Sequence, residues 1–514
     1  MGHYGELVGP IVAVSLVALM GSSFLTSPAF AEASASAKAT ADGTAGKPAA
    51  AEERQTSSQR ANPETSAHWP RFRGPDSNPV SDNPNLPVTW SRTENVEWVA
   101  DVPGVGWSSP VVWGTRVFLT AATSEQRMKP PSLGTEFSND YIAELRKQGL
   151  SADEITKRLW ARDREMPQDI VISLMLFCYD LESGKRLWER RIYHGHPRGG
   201  RHVKNSFASE TPVTDGNRVY AYFTDYGLYA FDFNGKPIWA TPFERRATIR
   251  DYGTGASPAL YQDRLFVLND NEEQSFLAAF DARTGKELWR TPRTVAPARK
   301  TGWSTPFVWA NRLRTEVVTL GPGVAISYGF DGRELWRINR MGAVAIQTPF
   351  AWNDILFVTS GTSGDSNKPI VAIRAGGAGD ITPPEPVNKN EHVVWYDRVA
   401  GGTYLPTPVI YKNALYVLYD KGIFSRYKVE TGERVFRSRV APGAAAFTAS
   451  PWAYDGKIFL LGEEGNTFVI EAGDEYRLLG VNSLDEFALA TPAIVGDRLL
   501  IRTQSRLYSI RNRR

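Results

Sequence analysis

The chain has 514 residues, 42% hydrophobic and 11% aromatic, with 44 glycines and 33 prolines, which is enough to bury a large core while turning often, as many short strands require. Its 59 basic and 56 acidic residues leave a net charge of +3, so no polyanion-attracting field is implied and nucleic acid is not expected as a partner. The one cysteine, Cys178, excludes an intramolecular disulfide, a Cys-x-x-Cys-His haem attachment and a multi-cysteine metal site.

Taken in chain order, the first element is an apolar run from Leu7 to Met20 followed by Ala29-Phe30-Ala31. Its length and the small-x-small site predict a signal peptide over residues 1–31, cut after Ala31, and no membrane span in the mature chain. Residues 32–66 are almost entirely Ala, Ser, Thr, Gly, Glu and Lys with scattered Pro and nothing large to bury, which predicts a disordered linker. The rest, residues 67–514, carries the fold, and the expected location is periplasmic or secreted.

A Ser/Thr-Pro dipeptide, an apolar run, a polar turn and a second apolar run recur along this region, with the proline at Pro110, Pro212, Pro258, Pro306, Pro349, Pro408, Pro451 and Pro492. Apart from the first and fifth gaps, the spacing is that of one four-stranded propeller blade. Each unit continues with a third strand, a tight turn and a fourth strand ending on an aromatic residue: Trp188, Trp239, Trp289, Trp336, Trp395 and Phe436. The eighth unit supplies only three strands. The segment ENVEWVADVPG from Glu94, with Trp98, has the pattern of a missing fourth strand, so blade eight is expected to be built from both ends of the chain, hiding edges that would template aggregation.

The run Ala279-x-Asp281-x-x-Thr284-Gly285-Lys286-x-x-Trp289 resembles the tryptophan-docking repeat of the pyrroloquinoline-quinone-like (PQQ-like) β-propeller family, which has BamB-like and quinoprotein-alcohol-dehydrogenase-like branches. The resemblance covers most of residues 94–510. It implies an all-β, eight-bladed propeller of four-stranded antiparallel blades, in which each tryptophan wedges against the alanine and glycine of a neighbouring repeat. Each such ring contributes on the order of 4–6 kcal/mol gross. Departures from the repeat include Cys178 at the small-residue position of the first unit, Arg426 at that of the sixth, and no tryptophan in the seventh, around Tyr476 to Leu479.

Loops joining the fourth strand to the next blade share one face with those joining strands two and three, around the central channel. They place Trp107, Lys204, Asn205, Glu210, Tyr252, Trp303, Gln347 and Tyr404 near the rim, a mixture of aromatic walls and a few polar groups suited to a small molecule or peptide; the alternative is that the loop glycines permit tight turns and the aromatics simply cap the blades. His194, His196 and His202 are the only histidine concentration. On a strand the first two would share a face and, with the third, could hold a metal; three imidazoles around Arg198 and Arg201 read equally as a solvated basic loop. The loop NDNEEQ from Asn269 lacks calcium-loop spacing and is read as a solvated turn; Cys178, in an apolar strand, is read as buried and inert.

The largest insertion, about residues 123–168 in blade one, reads as two helices with Gly149 ending the first and Ser151 to Glu154 forming a capping box for the second. It is expected over the channel face, as a lid, a docking element or inert decoration. The functional expectation is a monomeric, non-catalytic envelope module binding an envelope protein or extracellular polymer, with no cofactor assigned. The alternative implied by the resemblance is a quinoprotein dehydrogenase using pyrroloquinoline quinone with calcium to oxidise an alcohol or sugar.

Overall fold

The computed structural model of the chain describes residues 67–126, 144–151, 154–155, 157–158, 169–202, 204–295, 300–362, 365–399, 401–444 and 446–512. The signal peptide and linker expectations, and most of the helical insertion, lie outside them. The described chain is an all-β, eight-bladed propeller. Each blade is an antiparallel meander whose first strand lies innermost, beside that of the next blade. The second and third strands are sandwiched between neighbouring blades and are largely buried, as in Arg218–Phe223, whereas outermost strands such as Pro237–Pro242 alternate between partly buried and exposed.

Blade eight closes as expected. Val96–Asp101 pairs antiparallel with Arg506–Arg511, placing Trp98 opposite Ser509 and Ala100 opposite Leu507, beyond Arg498–Arg502 and Ala493–Val495. The long fifth gap has a physical origin too. Residues between the third and fourth strands of blade five (Ile370–Arg374 and Val393–Asp397) reach back, and Gly379–Asp380 adds a fifth, parallel strand to the outer edge of blade four.

The docking expectation is confirmed for the glycines and corrected for the alanines. Gly184, Gly235, Gly285, Gly332 and Gly432 each lie so close to the indole of the preceding blade's tryptophan (Trp98, Trp188, Trp239, Trp289 and Trp395) that a Cβ would collide with the ring. The indole N–H of each donates to a carbonyl of that same next blade, for example Trp98 to Leu181 at 2.9 Å and Trp395 to Val429 at 2.8 Å. The alanine, however, belongs to the tryptophan's own blade: Ala230 stands opposite Trp239, Ala279 opposite Trp289 and Ala372 opposite Trp395 across adjacent strands. A small residue there lets the large ring fold over its own sheet toward the next. Cys178 fills this role opposite Trp188 and is fully buried, its thiol pushed up to about 12 by burial.

The Ser/Thr-Pro repeat has a function that its spacing alone did not reveal. In six of the eight blades the backbone N–H of this Ser or Thr donates to the hydroxyl of its counterpart in the next blade: Ser109 to Thr211, Thr211 to Ser257, Ser257 to Thr305, Thr348 to Thr407, Thr407 to Ser450 and Ser450 to Thr491, all at 2.9–3.1 Å. The relay breaks between blades four and five and between blades eight and one. The two hydroxyls that would receive the missing bonds, Thr348 Oγ1 and Ser109 Oγ, are buried without a partner among the described residues.

The leader before Val96 crosses the channel. Trp69 pairs with Val112 in blade one, and Thr214 of blade two donates to the Pro70 carbonyl. Arg73 then donates to the Thr407 and Pro408 carbonyls at the start of blade six, its guanidinium over Phe350 of blade five. The segment continues along the inner strands of blades six, seven and eight through Asn78, Val80 and Asn83. It ends with Trp90 against Phe459 and its N–H on Asn482 in blade seven, the blade that lacks a docking tryptophan.

Candidate functional site: the channel face

The loops entering each blade, together with those between second and third strands, meet at one end of the channel, and the structure sorts the eight rim residues into three groups. In the first, Trp107, 7% exposed, donates its indole N–H to the Lys204 carbonyl at 2.9 Å and meets Phe487 edge-on at 5.6 Å. Lys204 reaches from the loop between blades one and two to Glu463 in blade seven, its ammonium 2.9 Å from both carboxylate oxygens. Thr448 donates its hydroxyl to the same carboxylate at 2.7 Å. Glu463 is almost fully buried, so this contact ties distant blades together over the mouth. Glu463, Thr448 and Phe487 are absent from the sequence-based set. Only the ring's curvature brings them near Lys204, although a carboxylate within the tight turn GEEGN was a usable hint.

The second group joins the loops flanking blades two and three. Asn205 donates to the Thr254 carbonyl at 2.8 Å and accepts from the Ser209 hydroxyl at 2.5 Å, while Trp303 donates its indole N–H to Gly253 at 2.9 Å. Glu210 is buried and accepts from the hydroxyls of Thr224 at 2.8 Å and Thr254 at 2.6 Å; burial pushes its carboxyl up, against those bonds. Asp225, nearby, is pushed up to about 6, first by burial and then by the Glu210 charge, with Arg245 opposing. Tyr252 stands edge-on to His202 at 4.8 Å. In the third group Gln347, fully buried, donates to the carbonyls of Thr403 and Tyr404, the latter at 2.7 Å, so Gln347 and Tyr404 brace neighbouring loops.

The three histidines do not converge. The fourth strand of blade one ends at Gly195, so His194 and His196 do not continue on one strand face; His194 Nδ1 meets the Ser173 hydroxyl at 2.9 Å and His196 Nδ1 the Ile170 carbonyl at 3.1 Å. His202 Nδ1 accepts the Lys204 N–H at 3.1 Å, and burial, with Lys204 and Arg201 adding to it, lowers its pKa to about 4, so it is neutral near pH 7. Among the described residues no group of three or more His, Cys, Asp or Glu side chains is placed to hold a metal ion. The NDNEEQ loop is likewise no solvated turn: Asn269, Asp270 and Asn271 are buried, and Asp270 pairs with buried Arg293 at 2.8 Å. Of the insertion, the described parts match expectation. Gly149 takes φ +78° after a helical turn at 144–147, and Ser151 and Glu154 form the reciprocal cap, with Leu145 and Ile155 buried.

A quinone held on a divalent cation needs several oxygen ligands converging on the ion. Here the carboxylates of Glu210 and Glu463 face threonine hydroxyls and an ammonium group, with Asp225 near the first and Asp420 near the second. Neither pair gathers a third His, Cys, Asp or Glu side chain among the described residues, which is a poor fit to such a cation.

A family profile described as outer membrane protein assembly factor BamB matches residues 175–339 and 273–376. No curated protein matches this chain in sequence. Among solved structures, a quinohemoprotein alcohol dehydrogenase from Comamonas testosteroni is similar at TM-score 0.54 and 12% identity, over 88% of this chain and 81% of that one. A europium-containing methanol dehydrogenase is similar at TM-score 0.50 and 10% identity, over 86% and 98%. BamB from Moraxella catarrhalis aligns at TM-score 0.45 and 11% identity, over 67% and 92%. At these identities the structural likeness speaks to the fold alone.

Proposed function

We propose that this chain, which belongs to the PQQ-like β-propeller family, is a non-catalytic binding module of the cell envelope, periplasmic or secreted, that takes a protein segment or polymer at its channel face. One observation carries this reading: the polar side chains at the mouth are spent on holding loops to one another. Lys204 is committed to Glu463, Glu210 to two threonines and Gln347 to two carbonyls. Groups so engaged make a rigid, pre-formed surface, which favours recognition. A reacting centre instead needs a base or nucleophile within reach of substrate. Among the described residues no helix is long and apolar enough to cross a membrane.

The test is to add pyrroloquinoline quinone and calcium to purified protein, and to follow absorption and dye reduction with a panel of alcohols and sugars. No bound-quinone band and no turnover are expected, with cross-linking in envelope fractions recovering a partner that Lys204→Ala loses. A stoichiometric band with turnover would overturn the proposal in favour of a quinoprotein dehydrogenase.

A further inference from the structure

We propose that the seam between blades eight and one holds a small monovalent anion, of halide type, against the Nε–Nη2 edge of Arg502. This residue ends the second strand of blade eight, Arg498–Arg502, and is fully buried. Its Nη1 donates to the Ser108 carbonyl at 3.1 Å and the Ser108 hydroxyl at 2.6 Å. Nε and Nη2 are shut off from solvent and meet no acceptor among the described residues. These two nitrogens form one edge of the planar guanidinium, with two N–H bonds directed at a common acceptor. Burial lowers the pKa to about 9, so the group stays charged near neutrality; the titratable group acting on it is the Tyr179 phenol, not a carboxylate.

Other arginines in the molecule show what occupies such an edge. Arg293, equally buried, sets Nε 2.8 Å and Nη2 3.2 Å from the Asp270 carboxylate, and gives Nη1 to the hydroxyls of Thr319 and Tyr328. Arg498 sets the same two nitrogens 2.7 and 3.0 Å from Glu97. Arg73, buried without a carboxylate, spends all three nitrogens on carbonyl oxygens. Arg502 repeats the Nη1-to-hydroxyl half of the Arg293 arrangement without the counter-charge. An uncompensated buried cation is unfavourable, and a water would accept an N–H bond while leaving the charge in place. Because a Cβ at Gly106 would lie only 2.7 Å from Nη2, the packing favours a monatomic anion over the carboxylate of a larger ligand.

The position gives the ion a role. The hydroxyl relay between blades fails at this seam, where Ser109 Oγ goes unbonded, and Arg502 grips the adjacent Ser108. An anion there would fasten blade one to blade eight where the relay does not.

The experiment melts wild-type protein and Arg502→Met at constant ionic strength while gluconate is exchanged for chloride or bromide, from about 1 to about 100 mM. A bromide-grown crystal is then examined at the bromine edge. The wild type is expected to gain about 1–3 °C in Tm, Arg502→Met to show no halide response, and an anomalous peak to lie against Nε and Nη2. Identical wild-type melting in gluconate and halide, with water alone beside Arg502 in the map, would overturn the assignment. If Arg502→Met does not fold, the wild-type titration and the bromide map decide the matter.

Discussion

A single hydroxyl can be structural or idle in this ring, depending on which break or link it occupies. Ser257 Oγ accepts the Thr211 N–H at 2.9 Å, so Ser257→Ala leaves a buried donor unmet; the expected loss is about 1–3 kcal/mol. Ser109 Oγ is buried without a partner, and Ser109→Ala removes a desolvated hydroxyl while keeping the backbone bond to Thr211. That change is expected to be neutral or slightly stabilising, within about 1 kcal/mol. Urea unfolding of the two variants checks the contrast, and equal losses would refute the relay. Both serines sit in the same Ser/Thr-Pro motif, so the repeat was legible in the sequence and the difference between its members was not. Which hydroxyl finds a donor depends on the spacing of blades whose insertions differ in length.

Among the strands and turns, the docking glycine is tied to the tryptophan that precedes it by one blade. Gly285 has φ +72°, and a Cβ there would run into the Trp239 ring. Gly285→Ala is expected to incur about 1–2 kcal/mol for the left-handed backbone and a further 1–3 kcal/mol or so for overpacking. Gly496→Ala, at φ +58° with no atom within 4 Å of the new Cβ, should incur only the first part. In Gly285→Ala/Trp239→Ala the ring's share of the overpacking should vanish while the contact with Thr241 Oγ1 at 2.7 Å remains, so a double-mutant cycle is expected to show coupling of about 1–2 kcal/mol. Strand order and the docking pairs were readable because most units carry the same turn and aromatic residue. The candidate site was less so. Lys204 was selected for its loop, but its partner Glu463 lies 259 residues away, and no local pattern encodes a contact made by closing a ring. The histidine cluster is a case where sequence proximity says little about placement: the end of a strand separates its members, and a backbone N–H takes the His202 nitrogen.

At the scale of the whole molecule residues 67–101 do two separable jobs. Residues 69–90 cross the channel and cover the seam between blades seven and eight, where no tryptophan docks, while Val96–Asp101 supplies the last strand of blade eight. A chain starting at residue 93 loses only the first contribution. It should keep a closed ring and the association state of the full chain and melt at lower temperature, because Arg73, Trp69 and Trp90 no longer bridge the inner strands. A chain starting at residue 105 loses the strand as well. That removes the Trp98 dock against Gly184 and the Glu97 carboxylate that binds Arg498 and Arg511, and it uncovers the edge of Arg506–Arg511. An unpaired edge of this kind pairs with other chains, so the second truncation should associate or aggregate where the first does not. Light scattering coupled to size exclusion separates the two outcomes. A monomeric second truncation that melts cooperatively at the wild-type temperature would mean that the strand from the amino-terminal end decorates blade eight without holding the ring shut. The greater sensitivity is expected at the strand, because it satisfies a row of backbone groups and two docking contacts at once, whereas the crossing segment acts through separate side-chain and carbonyl contacts that fail one at a time.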